Sequence, residues 1–138
     1  MRLMDVMTAP WAITPETLRE IKGVYETHLR GEKIDIAGVE ARLGRSLNNE
    51  HENYQVIDGV AVIEVHGVIA KRMNMFSRIS GGVSTQLLEK DIAEAMDDPE
   101  VTAIILDVDS GGGTVDGTFE LADALHEMRG TKPIVSLA

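Results

Sequence analysis

The stretch "LDVDSGGGTVDG", residues 106 to 117, limits the possible folds more than any other part of this chain. An apolar run stops at Asp109, three glycines follow at 111–113, and an amphipathic helical pattern begins at once. Glycine is entropically costly to fix, so three in a row imply that the backbone itself is put to use. A strand, a glycine turn and a helix in direct succession belong to layered α/β architecture.

Three uses of such a backbone compete. A dinucleotide-binding turn places glycines after a strand and before a helix. Gly111 and Gly113 fit its first two positions, but Asp116 occupies the third, where an acidic side chain crowds the packing and repels phosphate. A Walker loop is excluded, because no Gly-Lys-Ser/Thr follows. The second use is a plain strand-to-helix turn with Thr114 as the helix cap. The third is an oxyanion hole, where bare backbone N–H groups face the oxygen of a tetrahedral intermediate; one such donor contributes roughly 2.7–4 kcal/mol in acyl transfer.

Around this turn the chain reads as alternating strands and helices. Val60, Ala61, Val62, Ile63 and Val65 favour a strand, and "VTAIILDV" reads as a second one, buried on both faces. "KPIVSLA" opens a third. Between the first two, Ser84 can cap a helix carrying Leu88, Ile92 and Ala95 on one face. After the glycines, Val115, Phe119, Ala122, Leu125 and Met128 form a helical stripe. Connections of this length imply a parallel βαβαβ core. Stopping on the third strand leaves the sheet unfinished, so the chain is expected to be a fragment.

Residues 1–44 differ in character. Thr14 is placed as an N-cap with Pro15 at the first helical position, and Ile13 and Leu18 as a hydrophobic staple. Leu18, Ile21, Tyr25 and Leu29 recur at helical spacing, with Gly31 as the stop. A second helix is expected from the cap Asp35 through Ile36, Val39 and Leu43 to Gly44. Residues 45–55, including the polar "RSLNNEHENY", read as a linker, and the core occupies 56–138.

With 138 residues, 43% of them hydrophobic, the chain can bury a core without staples. It has no cysteine, which removes disulfide and thiolate chemistry. A net charge of −10 argues against nucleic acid as a partner. Lys71, Arg72 and Arg78 cluster only as a solvated loop. No apolar run is long enough to span a membrane, and no signal peptide is legible at the N-terminus. His28, His51, His66 and His126 show no metal-site spacing. His66 follows the first strand and either approaches the glycine loop or simply ends the strand. Asp107, Asp109, Asp116 and Glu120 gather near the turn, with separate turn and helix-start roles the simpler reading against cation binding.

The segment "VAVIEVHGVIA…VTAIILDVDSGGGTVDGTFELADALHEMRGTKPIVSLA" resembles the signal peptide peptidase A and phage prohead protease family. These are serine peptidases with the Clp-protease/crotonase fold. The family pattern is Asp-Ser-Pro-Gly-Gly, then Glu-Leu-Ala on a helix, then Lys-Pro-Val/Ile opening a strand. Here "DSGGG", "ELAD" and "TKPIVSLA" follow in that order and at matching separation. The leader "PWAITPETLREI" is similar to that of the phage branch.

The resemblance implies a Clp/crotonase-like α/β fold for 56–138, the oxyanion-hole backbone at Gly112 and Gly113, with Gly113 N–H as donor, and a turn-shaping role for Ser110. Gly111 stands where the family usually has proline. The nucleophilic serine and the general-base lysine are implied to lie beyond Ala138. Ser136 matches a strand position. Ser77, Ser80 and Ser84 read as caps or loop residues, and Lys71, Lys90 and Lys132 show no arrangement that would bring a neutral amine to a serine.

The implied function is that of the N-terminal portion of a Ser/Lys endopeptidase cleaving capsid assembly proteins, made by a phage or prophage in the bacterial cytoplasm. No cofactor or metal is implied. Partners would be an extended peptide, pairing with "GVAVIEVHG" or the loop after it by β-addition, and further copies of the chain. Two other classes stay open: a non-catalytic interaction module, and a crotonase-type acyl-CoA enzyme sharing the backbone oxyanion hole.

Overall fold

The computed structural model describes residues 8–44, 53–72 and 81–138. Strand β1 (Trp11–Ile13) leads into helix α1 (Pro15–Leu29), and α2 (Ile36–Leu43) follows. Strands β2 (Gln55–Ile57), β3 (Val60–His66), β4 (Ile69–Ala70) and β5 (Val83–Ser84) precede α3 (Thr85–Asp97). Then come β6 (Ala103–Asp109), β7 (Gly112–Thr114), α4 (Thr118–Met128) and β8 (Ile134–Leu137). The chain is mixed α/β, with two mixed sheets and four helices among the described residues.

The main sheet has the order β2-β3-β6-β8. Strands β3, β6 and β8 run parallel, with Ala61 opposite Ile104 and Ile104 opposite Ile134. They alternate with α3 and α4, as the sequence pattern predicts. The left-handed pair Asp58 and Gly59 reverses the chain from β2 into β3, so β2 adds an antiparallel edge. Ala61, Ile63, Val65, Ile104 and Leu106 point inward against Leu88, Ile92, Ala95 and Met96 of α3. Removing such side chains from water stabilises the layer by about 1.5–3 kcal/mol for each large aliphatic residue.

Two expectations about this layer are corrected. Strand β6 is buried on its inner face, while Ala103, Ile105 and Asp107 on the other face are only partly covered. Helix α4 turns Leu121, Leu125 and Met128 to the core, leaving Phe119 71% exposed. Phe119 belongs to the first turn, where the chain is still leaving the glycine loop, so its place in the periodic stripe does not carry it inward.

The second sheet is not legible from the strand pattern. Its order is β1-β7-β4-β5. Strand β7 is the glycine turn itself, antiparallel to β1 and parallel to β4. The leader therefore contributes a strand to the same sheet as the glycines. Helix α1 lies beside it through Ile21 and Tyr25, buried with Val68 and packed by Trp11 and Ile13. Leu18 stays exposed, so Ile13 packs against that cluster while Leu18 faces solvent.

The helix boundaries follow their chemistry. The side chains of Thr14, Asp35 and Ser84 accept hydrogen bonds from the N–H groups of Thr17, Gly38 and Leu87, meeting otherwise unpaired first-turn donors. Gly44 ends α2 in the left-handed conformation. Residues 45–52 of the expected linker, with His51, and Ser77, Arg78 and Ser80 lie outside the described residues.

Candidate functional site

The glycine turn joins the two sheets. Strand β6 leaves the main sheet at Asp109, and after Ser110 and Gly111 the chain enters the second sheet as β7. Ser110 fixes this change of direction. Its hydroxyl donates to the Gly67 carbonyl at 2.5 Å and accepts from the Gly112 N–H at 3.1 Å. The Gly67 N–H in turn donates to the Asp109 carbonyl at 2.8 Å. The turn after β3 and the turn after β6 are thus tied together, and Ser110 serves as a brace.

Each glycine is required by a different neighbour. A Cβ on Gly113 would fall on the Ile69 carbonyl of β4. One on Gly112 would fall on the Ala12 carbonyl of β1, and Gly112 also has a φ of 102°, which side chains disfavour. A Cβ on Gly111 would meet the Thr17 hydroxyl in the first turn of α1. A side chain at position 111 would therefore have to displace the first turn of α1.

The residues on either end of β7 are bonded to the leader. Thr14 N–H donates to the Gly111 carbonyl at 2.8 Å, and Val115 N–H to the Pro10 carbonyl at 3.0 Å. Opposed residues in an antiparallel ladder alternate between bonded and non-bonded pairs. The pairs 14/111 and 10/115 are bonded, so the pair between them, Ala12 and Gly113, is bonded too. The Gly113 N–H points at the Ala12 carbonyl oxygen.

The helix after the turn starts without a side-chain cap. Its N-cap is Gly117 at φ 86°, not Thr114, which lies in β7 and whose hydroxyl donates to the Asp116 carbonyl at 3.3 Å. Lys71, at the end of β4, reaches across to Asp116 at 3.3 Å and Glu120 at 3.0 Å. The bond to Glu120, then the one to Asp116, raises the Lys71 pKa, and Lys71 lowers that of Glu120. Asp116 and Glu120 are thereby engaged with a lysine. Among the described residues no cluster of three or more His, Asp or Glu could hold a metal ion.

The remaining sequence candidates are dispersed. His66 lies at the end of β3 with Nε2 3.4 Å from Asp107 and Nδ1 3.6 Å from Glu64, on the outer face of the main sheet. Ser136 sits in β8 opposite Leu106 and is exposed. Its neighbours Val135 and Leu137 are 51% and 54% exposed, which corrects their assignment to a sheet interior. Lys90 pairs with Glu94 on the outside of α3.

Lys132 has a role that sequence reasoning missed. Its ammonium donates to the carbonyls of Ala95 and Asp98, at 3.0 and 2.6 Å, and so closes the C-terminus of α3. The "TKP" spacing was the available signal, since it sets a cation just before the strand beside α3.

Strand β3 lies between β2 and β6, with β2 covering only Val60–Val62, and β4 lies between β7 and β5; residues 73–80 of the following loop lie outside the described residues.

No family model matches the chain. Over 86 residues, 62% of this chain and 20% of the relative, it is 36% identical to the capsid assembly protease C of Escherichia phage lambda. Over 84 residues, 61% of this chain and 17% of the relative, it is 33% identical to the head-tail preconnector protein GP5 of Enterobacteria phage P21. The chain thus matches about a fifth of the length of these curated relatives. Its homologues are phage head proteins, one of them named as a protease.

Proposed function

We propose that this chain is the N-terminal portion of a serine-type endopeptidase of the phage prohead protease kind, with a Clp/crotonase-like fold, acting on capsid assembly proteins in the bacterial cytoplasm. The similarity to the phage lambda capsid assembly protease carries the reading. It is supported by a glycine turn whose N–H donors sit at the junction of two sheets, braced by Ser110. Gly112 and Gly113 supply the oxyanion-hole backbone, and Gly113 N–H stabilises the charge that develops on the attacked carbonyl oxygen. The attacking serine and its lysine base lie beyond Ala138, and the whole protein works as a homo-oligomer.

The test is cleavage of capsid assembly proteins by the product of the native gene, read as new termini by mass spectrometry. Cleavage by a product extending past Ala138, with none by residues 1–138 alone, is the expected result. Absence of cleavage by the longer product would overturn the peptidase reading. Turnover by residues 1–138 that survives Ser136→Ala would refute the placement of the missing groups, and turnover that this change abolishes would put the nucleophile in β8.

A second reading has one observation in its favour. Gly113 N–H is bonded within the protein, as in a structural strand, and this suits a non-catalytic module that docks on other head proteins.

A further inference from the structure

An oxyanion donor has one hydrogen to give, and that of Gly113 is given to Ala12. The carbonyl of Ala12 lies where the carbonyl of a bound peptide would have to lie. Strand β1 is the outermost strand of its sheet, in the order β1-β7-β4-β5, and among the described residues it pairs with β7 alone. Without β1, the outer side of β7 would be an open edge whose Gly113 N–H and C=O could receive an extended chain.

We propose that Trp11–Ile13 is an intramolecular latch, a strand that occupies the glycine edge as an extended peptide would and must leave before substrate can bind there. The inference rests on the reading of Gly113 as the oxyanion donor. Three features support it. The strand is antiparallel and extended, with the small residue Ala12 at the position bonded to Gly113. It is only three residues long and, among the described residues, has no strand on its outer side. It is anchored from behind, because Trp11 and Ile13 pack on Ile21, Tyr25 and Val68, while Thr14 N–H holds the Gly111 carbonyl.

Those anchors keep the strand at high effective concentration, so a peptide in solution competes poorly with it. If the edge is free only a small fraction of the time, the apparent affinity for a peptide falls by that fraction. Releasing the strand should restore it. The absence of a side chain at Gly111 belongs to the same device, since it lets the first turn of α1 lie against the loop through Thr17.

The test uses the 138-residue chain and a fluorescent peptide of sequence Pro-Trp-Ala-Ile-Thr, copied from residues 10–14. Ala12→Pro removes the Ala12 N–H that faces the Gly113 carbonyl and leaves the glycine loop untouched. Amide exchange at Gly113 should speed up at least tenfold, with Ile63 and Ile104 in the main sheet unchanged. The peptide should bind the variant at least tenfold more tightly than the wild type.

Faster exchange at Gly113 without tighter binding would overturn the latch, as would equal binding to both proteins. Unchanged exchange at Gly113 would overturn it too, since β1 would then not be what covers that donor. If Ala12→Pro also exposes Ile63 and Ile104, the double variant Trp11→Gly/Ile13→Gly is read in the same way. Global unfolding in both would make β1 a structural strand and refute the proposal. Binding needs no nucleophile, so failure of the peptidase reading, seen as absent cleavage by the longer product, is read separately from this result.

Discussion

At the scale of the residue, the glycine turn is a set of three exclusions imposed by three elements. Ile69 forbids a side chain at 113, Ala12 at 112 and Thr17 at 111. Backbone cannot yield as a flexible side chain does, so Gly113→Ala should be costly. We expect a loss of about 1–3 kcal/mol, the usual range for forcing atoms into a packed site, read from urea denaturation. Lys132→Met should also destabilise, by roughly 1.5–3 kcal/mol, because charged hydrogen bonds to the Ala95 and Asp98 carbonyls disappear. A loss confined to the end of α3 in amide exchange would separate this from general weakening. The three glycines announced that backbone was in use, but nothing in the sequence said whose backbone approaches. The partner of Gly112 is one hundred residues away in the chain, where local pattern carries no information.

At the scale of the element, capping chemistry made helix starts legible. Thr14, Asp35 and Ser84 are short polar residues that satisfy first-turn N–H groups wherever the helix later packs. Ser84 does more, since its hydroxyl donates to the Lys71 carbonyl at 2.9 Å and the residue is 2% exposed. Ser84→Ala is therefore expected to cost about 1 kcal/mol or more in thermal or urea unfolding, with α3 the element that frays. The start of α4 was misread because its cap is Gly117, a backbone conformation and not a side-chain acceptor. Strand β1 was illegible because three residues between Pro10 and Thr14 cannot display a period.

The tie from β4 to α4 is pH-dependent. Glu120 has a lowered pKa, so its contribution is present above the ordinary carboxylate range and fades as pH falls through the depressed value. Lys71 has a raised pKa, so its share is present below the ordinary lysine value and is lost as pH rises through the raised one. The pair should hold between those limits and weaken with salt, as exposed pairs do. A carboxyl NMR titration of Glu120 in wild type and Lys71→Met checks this, the expected result being a higher pKa in the variant.

At the scale of the whole molecule, the two faces of the main sheet differ. The inner face packs on α3 and α4 along β3 and β6, while the outer face leaves Ile57, Val135 and Leu137 about half exposed. Substituting Val135→Thr and Leu137→Thr together should change the stability of the 138-residue chain by under about 0.5 kcal/mol per site, since neither side chain is enclosed. The parallel order β3-β6-β8 was legible because strand, helix, strand alternation and connection length restrict topology strongly. The second sheet was not, since its strands are two or three residues long and β1 pairs with β7 from the far end of the chain.

The central claim, that these residues form the opening portion of a longer peptidase, is most directly tested by the intact mass of the protein expressed from its native gene. A mass well above 15.0 kDa is predicted, with a serine and then a lysine encoded downstream of Ala138. A mass of 15.0 kDa would contradict it and leave the non-catalytic docking module as the reading.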